Sequence, residues 1–334
     1  MKFWLKSIIS IALLALLIWI SNVGDIIRVM SGADMRLYVA AFVLFLFQQI
    51  VVTYCWQLLL VAQNNAVPFL KTLQVHFIGS FFGTFLPSSI SMDVVRAYHL
   101  SRHLRRGVDA ASSMFVTRVV GFGINFLLAL IVAIPVCRAN NDFQILWTVA
   151  ILTFAFFAAI WVILHRWSLQ LFSSLLHRFK LAKIADKLLH VRESILEVAV
   201  AKSAMIKMLA LTLFFQLLGI IIIFIVGRAV GIELDFQYYC IYIPLITAIA
   251  VLPVSILGIG IREGAFVFFF TQAGVPKAAA LSLSLLLFSQ SLLMAAMGGI
   301  WYFFDRSKSG GLDLSIKKAA LPNVKYEVNG AEKN

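Results

Sequence analysis

Residues 81–111 of the chain read FFGTFLPSSISMDVVRAYHLSRHLRRGVDAA, and residues 248–280 read AIAVLPVSILGIGIREGAFVFFFTQAGVPKAAA. In each stretch an apolar run ends at a Leu-Pro pair, and a segment that carries serine or glycine follows. Proline lacks a backbone donor and interrupts a helix. The sequence therefore predicts two helices that break, one at Pro87 and Ser88 and the other at Pro253.

The two stretches resemble each other at a nearly fixed separation of 166 or 167 residues, which is half the chain length. An arginine follows each proline by nine residues, Arg96 in the first stretch and Arg262 in the second. A Gly-Val pair follows later in both. The pattern predicts an internal repeat whose halves cover about 38–136 and 207–304.

The composition places the chain in the membrane class. Hydrophobic residues make up 62% of its 334 residues and charged residues only 13%, whereas soluble domains are nearer half apolar and a quarter charged. We predict an all-α polytopic membrane protein with about six full transmembrane helices and two re-entrant broken hairpins, or about eight spans by hydropathy alone. The six long apolar runs are about 4–20, 38–62, 108–136, 145–164, 207–230 and 279–304.

The net charge of +13 does not indicate a nucleic-acid partner, because the basic residues lie between the apolar runs. If the two short runs, 72–86 and 238–252, enter and leave on one side, 21 of the 28 Lys and Arg lie on the inner side. Full crossing would move the basic segments 92–107 and 165–207 outside, which the positive-inside rule disfavours. The count predicts cytoplasmic N- and C-termini.

Residues 1–305 are predicted to form a single transmembrane domain, followed by a polar cytoplasmic tail at 306–334. Basic and apolar residues alternate at helical spacing in 165–205. This segment is either an amphipathic helix on the inner leaflet or a loop packed on its own bundle. Three long runs separate the hairpins, so the repeat halves would be inverted, as in many transporters. Arg96 would then lie near the inner face and Arg262 near the outer.

Several charged residues are candidates for substrate binding. Arg118 lies about 16 Å into its run at helical rise, where charge costs at least about 2.5–3.5 kcal/mol. Its guanidinium suits a phosphate or carboxylate, although a structural ion pair is the alternative. Asp93 and Arg96 are three residues apart, a spacing that places them on one face of a helix. That face is either a binding face or a solvated cytoplasmic face.

The segment around Arg262 and Glu263 follows Gly258 and Gly260. These glycines either leave free amides that cradle an anion before a helix that starts at Gly264, or merely allow the turn. His76, in an apolar run, is interpreted as a packing or capping residue. The sequence shows no catalytic constellation, metal-ligand spacing or cofactor fingerprint, so we expect neither an enzyme nor a cofactor.

The sequence resembles the membrane region of lysylphosphatidylglycerol synthases and their stand-alone, flippase-like relatives over about residues 5–305. Three pieces carry the resemblance: Pro87-Ser88-Ser89 through Asp93-Val94-Val95-Arg96-Ala97-Tyr98, Arg118-Val119-Val120-Gly121, and Gly258-Ile259-Gly260-Ile261-Arg262-Glu263-Gly264. The chain departs from the family pattern at Ser91-Met92 and at Thr117. The resemblance implies that a separate soluble domain makes the aminoacyl lipid in the fused relatives. Because the stretch after the last run is short, we expect no such domain and no synthase activity here.

The resemblance and the charges together favour a flippase or transporter in the bacterial cytoplasmic (inner) membrane. Its expected partner is an anionic phospholipid or a polyprenyl-phosphate-linked glycan. The alternative is a non-transporting partner that scaffolds a lipid- or glycan-modifying membrane enzyme through 165–205. The candidate substrate-binding residues are Asp93, Arg96, Arg118, Arg262 and Glu263.

Overall fold

The computed structural model describes residues 3–62, 67–85, 91–101, 107–140, 143–165, 202–251 and 258–308, which form eleven helices and no strand. The prediction of an all-α polytopic membrane protein is confirmed. The helices are α1 Phe3–Ile20, α2 Val23–Ser31, α3 Met35–Ala62, α4 Phe69–Phe85, α5 Ser91–Ser101, α6 Gly107–Asn140, α7 Gln144–Leu164, α8 Lys202–Ala229, α9 Phe236–Ala250, α10 Ile261–Gln272 and α11 Lys277–Lys308.

Five helices of the described chain, α3, α6, α7, α8 and α11, are long and apolar enough to cross a membrane. α1 and α2 bend by 81° at the break between them and would make a sixth span as a pair. Large apolar side chains such as Trp19, Phe154 and Phe304 lie exposed on the outside, as expected where lipid is the solvent. Six crossings stay a prediction within this range of five to six.

The two short helices end where the sequence analysis expects a break. α4 ends at Phe85 and α9 at Ala250, each just before its Leu-Pro pair. The breaks themselves, with Pro87, Ser88 and Pro253, lie outside the described residues. The chain is helical again in α5 and α10. Re-entry of these short segments on one side stays a prediction.

Two groups of four helices correspond in length and in neighbours. α3 to α6 contain 28, 17, 11 and 34 residues, and α8 to α11 contain 28, 15, 12 and 32. α3 packs along α8, while α4 packs on α11 as its counterpart α9 packs on α6. These matches support the predicted repeat, which stays a prediction together with its inverted orientation.

One hydrogen bond joins two residues that would be counterparts in the predicted repeat. Gln48 Nε2 on α3 donates to the carbonyl oxygen of Phe215 on α8 at 3.0 Å, across a sequence separation of 167 residues. Two counterparts of a twofold repeat can touch only near the axis that relates them. In the predicted repeat, the α3–α8 contact would lie at this axis, between the two four-helix groups.

Two of the predicted parts of the chain lie mostly outside the described residues, and one predicted boundary differs from the structure. The segment 165–205 falls almost wholly on residues 166–201, which lie outside it, as do residues 309–334 of the tail. α11 continues to Lys308, a few residues past the predicted domain boundary at 305.

The main apolar core joins α6, α8, α9, α10 and α11 around buried side chains such as Tyr239, Tyr242 and Phe270.

Candidate functional site

A cavity of about 430 Å³ lies at the centre of the two four-helix groups. Its walls come from α3, α4, α5, α6, α8 and α9. The volume falls within the ordinary range of ligand sites, roughly 300–1,000 Å³. The polar and charged side chains that line it are Gln48, His76, Arg96, Thr117, Arg118, Asn125, Gln216 and Thr247. Apolar side chains such as Trp56, Phe122, Phe215 and Ile243 complete the wall.

Arg96 enters the cavity from α5 because α4 and α5 approach closely. A Cβ atom at Gly79 on α4 would lie 2.5 Å from Arg96 Cγ, and one at Gly83 would lie 2.7 Å from Met92 Cβ. No larger residue fits at either glycine with this packing. The two glycines therefore allow the helices to meet, and Arg96 Nη2 reaches 3.2 Å from His76 Nε2.

His76 is the polar centre of this wall. Its side chain is 2% exposed, and its Nε2 lies 3.1 Å from Gln49 Oε1 as well as close to Arg96. Gln49 Nε2 donates to the carbonyl oxygen of Phe45 on the same helix at 3.3 Å, which turns its Oε1 toward the histidine. A buried imidazole thus links α3, α4 and α5.

Arg118 lines the same cavity from α6, beside Thr117. One turn later, the carbonyl oxygen of Gly121 accepts a hydrogen bond from Gln216 Nε2 on α8 at 3.0 Å, which fixes this part of α6 against the second helix group. The structure thus brings together Arg96 and Arg118, two residues that the sequence analysis singled out separately.

The described lining of the cavity carries positive charge. It contains two arginines and neither aspartate nor glutamate among the residues whose side chains are described. Asp93 lies on α5 one turn before Arg96, but its side chain falls outside the description. Two guanidinium groups beside amide and hydroxyl groups form a lining suited to phosphate or carboxylate oxygens.

Arg262 and Glu263 form a different site at the start of α10. Arg262 Nη2 donates to Glu263 Oε1 at 2.6 Å, and Arg262 Nε donates to the same oxygen at 3.1 Å. Ser284 Oγ on α11 lies 3.4 Å from that oxygen. Glu263 is 2% exposed, so the buried carboxylate and the arginine neutralise each other. Neither residue lines the central cavity as the structure describes it.

The glycines before this pair shape the helix start. Gly258 and Gly260 have φ angles of 75° and 85°, which L-residues with a Cβ adopt at a cost. The Gly260 amide donates to Glu263 Oε2 at 2.6 Å, so a carboxylate of the chain itself occupies one of the expected anion-binding amides. The helix begins at Ile261, one turn before the predicted start at Gly264.

A scan against protein families matches residues 4–299 of the chain to the lysylphosphatidylglycerol synthase transmembrane region. The chain belongs to this family. The match covers most of the 334 residues and confirms the resemblance found in the sequence. Searches of curated proteins and of solved structures found no match. Family and helices together define a multi-pass membrane protein of a lipid-related kind.

The sequence analysis missed part of the polar lining in this member of the lysylphosphatidylglycerol synthase transmembrane-region family. The cavity-lining residues Gln48, Asn125 and Gln216 lie inside long apolar runs, where polar side chains usually face a partner or a cavity. Polar residues within apolar runs were therefore the sequence signal that could have identified this lining. The sequence analysis interprets His76 as a packing or capping residue. The structure places it buried between α3, α4 and α5, and also in the cavity wall beside Arg96.

Proposed function

We propose that this protein moves an anionic lipid, either a phospholipid or a polyprenyl-phosphate-linked glycan, from one leaflet to the other. The observation that carries the proposal is the presence of Arg96 and Arg118 in the wall of one cavity, between the two four-helix groups. Charged groups at membrane depth are expensive and usually mark a substrate pathway. Two arginines there favour an anion.

The chemistry of the cavity suits an amphiphile. A guanidinium offers a planar fork of donors that binds phosphate oxygens in pairs. Amides of Gln48, Asn125 and Gln216 would hold hydroxyl groups of the head group, while aromatic and aliphatic walls exclude water. The head group would occupy the cavity, and the acyl or prenyl chains would stay in the surrounding lipid.

The two four-helix groups would supply alternating access by rocking against each other at the α3–α8 contact. Arg96 and Arg262 are counterparts in the predicted repeat. In the present state Arg96 faces the cavity, while Glu263 holds Arg262. The proposal is that the two arginines exchange these roles when the cavity opens to the other side, with Arg96 serving the inner face and Arg262 the outer.

We propose transport without chemical conversion, in the bacterial inner membrane and with both termini in the cytoplasm. The described lining offers groups that bind and orient an anion. Ser88, the serine nearest the predicted break at Pro87, lies outside the described residues. Lipid extracts from cells with and without the protein should therefore contain the same molecular species. A new lipid species made by the purified protein would contradict this part.

The central test follows the lipid itself. Purified protein is reconstituted in liposomes that carry a head-group-labelled phosphatidylglycerol, and a membrane-impermeant quencher reports the label that reaches the outer leaflet. Wild-type protein should accelerate this exposure over empty liposomes. Arg118→Ala should lose most of it, because one charge-assisted hydrogen bond contributes about 1.5–3 kcal/mol, which is roughly ten- to a hundredfold in affinity.

The matched control is Arg138→Ala. Arg138 lies on the same helix α6, exposed and away from the cavity, so its removal changes net charge equally and should leave the rate unchanged. Equal effects of the two variants would refute a specific role for Arg118. Wild-type liposomes no faster than empty ones, both with labelled phosphatidylglycerol and with a labelled polyprenyl-phosphate-linked sugar, would refute lipid transport and favour the scaffold alternative.

A further inference from the structure

Two neighbours make opposite demands on one nitrogen of His76. An arginine can only donate, so Arg96 Nη2, at 3.2 Å, requires an unprotonated Nε2 that accepts. Gln49 Oε1, at 3.1 Å, can only accept, so it requires an Nε2 that carries a proton. Both demands cannot be met at once. A neutral ring with its proton on Nδ1 meets the first demand. A ring with a proton on Nε2, either the other neutral tautomer or the imidazolium, meets the second.

We propose that His76 is a proton-binding site whose occupancy is coupled to the anion at Arg96, so that the protein carries its anionic substrate together with a proton. This inference rests on the proposed function and names its co-substrate. In the empty cavity His76 is neutral and accepts from Arg96. With an anion bound, Arg96 donates to the anion, and His76 takes up a proton and donates to Gln49.

The electrostatics of the cavity favour this coupling. A proton on His76 without an anion would add a third positive charge beside Arg96 and Arg118, in a site where charges interact strongly. A bound anion removes that repulsion and attracts the proton. Each ligand therefore strengthens the binding of the other, and the coupling must be reciprocal.

Other titratable groups lie on the helices around α4, and the test must separate them from His76. α3 carries Tyr54 and Cys55, and α11 carries Tyr302; α5 carries Arg96, Tyr98 and His99 besides Asp93. Arg96 contacts His76 directly, and Arg118 lines the same cavity. The described groups in contact with the His76 ring nitrogen are Gln49 and Arg96, and neither side chain changes charge near neutral pH.

The proton balance of one transport step is simple. When the anion enters, one proton passes from water to His76 Nε2, and the Arg96 donor moves from Nε2 to an oxygen of the anion. When the anion leaves on the other side, Nε2 releases the proton there and accepts again from Arg96. A gradient of pH would then drive lipid movement without any nucleotide.

Calorimetry can count this proton. Intact protein in nanodiscs of zwitterionic lipid is titrated with dihexanoyl phosphatidylglycerol, in buffers of different ionisation enthalpy at one pH. The phosphodiester of this probe keeps a single charge near neutral pH, so exchanged protons belong to the protein. We expect uptake of close to one proton per anion, and an affinity that falls about tenfold for each unit of rising pH.

Two variants assign the proton. His76→Gln keeps an acceptor for Arg96 but cannot titrate, so it should bind the probe without proton uptake. His165→Gln, at the exposed end of α7, should keep the uptake. Wild-type binding without proton uptake, or uptake that persists in His76→Gln, would overturn the coupling and leave lipid transport standing. No binding of the probe by wild type would overturn the proposed function and the coupling with it.

Discussion

Adding one methyl group at Gly79 should weaken transport without removing any charge. The new Cβ would lie 2.5 Å from Arg96 Cγ and 3.2 Å from the Met92 carbonyl oxygen, whereas carbon atoms in contact prefer about 3.5–4.0 Å. α4 and α5 must therefore separate by about 1 Å. The Arg96–His76 distance of 3.2 Å would then grow to about 4 Å, which is too long for a hydrogen bond.

Two consequences of this separation can be estimated. Overpacking of a tight contact costs about 1–3 kcal/mol of stability. Displacement of a binding group by about 1 Å can cost up to a hundredfold in rate. We expect Gly79→Ala to insert and fold, to show a lowered unfolding midpoint, and to move labelled lipid at least tenfold more slowly than wild type.

The assay is the liposome exchange described above, with Gly123→Ala as the matched control. Gly123 lies on α6, five residues after Arg118, and an added Cβ there would meet Phe156 Cε1 at 3.5 Å, an ordinary contact. This variant should transport at close to the wild-type rate. If Gly79→Ala also transports at the wild-type rate, the placement of Arg96 against α4 does not control the substrate site.

Two further predictions concern the start of α10. Glu263→Gln should lower the free energy of unfolding by about 2–4 kcal/mol, because Arg262 loses its buried counter-charge; denaturation by dodecyl sulfate measures this, and an unchanged midpoint would contradict it. Gly260→Ala should cost more stability than Gly274→Ala. Both glycines have positive φ angles. A Cβ at Gly260 would also lie 2.7 Å from Leu13 Cβ, whereas a Cβ at Gly274 would meet open space. Equal losses of stability would show that α1 moves aside without an energetic penalty.

Most of the fold could be predicted because the length of each apolar run in the sequence indicates a membrane-spanning helix. The runs 38–62 and 207–230 correspond to α3, Met35–Ala62, and α8, Lys202–Ala229, within a few residues. The helix α2, Val23–Ser31, was missed because it is short and polar on one face, with Asp25 and Arg28. A search for long apolar runs cannot find such a helix.

The candidate site could be predicted only in part from the sequence. Arg118 and Arg96 were candidates because charge within an apolar setting needs a reason, but their common cavity depends on how α5 and α6 pack. Arg262 matches Arg96 in spacing and differs in its neighbour: Glu263 follows it, whereas Ala97 follows Arg96. Glu263 gives Arg262 a buried counter-charge, and only the structure shows one carboxylate oxygen at the guanidinium and the other at the Gly260 amide.

The pairing of α3 with α8 also bears on how the protein is made. Gln48 on α3 is buried in the finished protein, and its side-chain amide donates to a residue made 167 positions later. At about 5–20 residues per second, ribosomes need roughly 10–30 s to reach that partner. Throughout this interval the Gln48 amide would lack its final partner, and an unmet hydrogen bond is costly where lipid surrounds it. The first half of the chain would therefore be an intermediate with one unsatisfied amide until α8 is made.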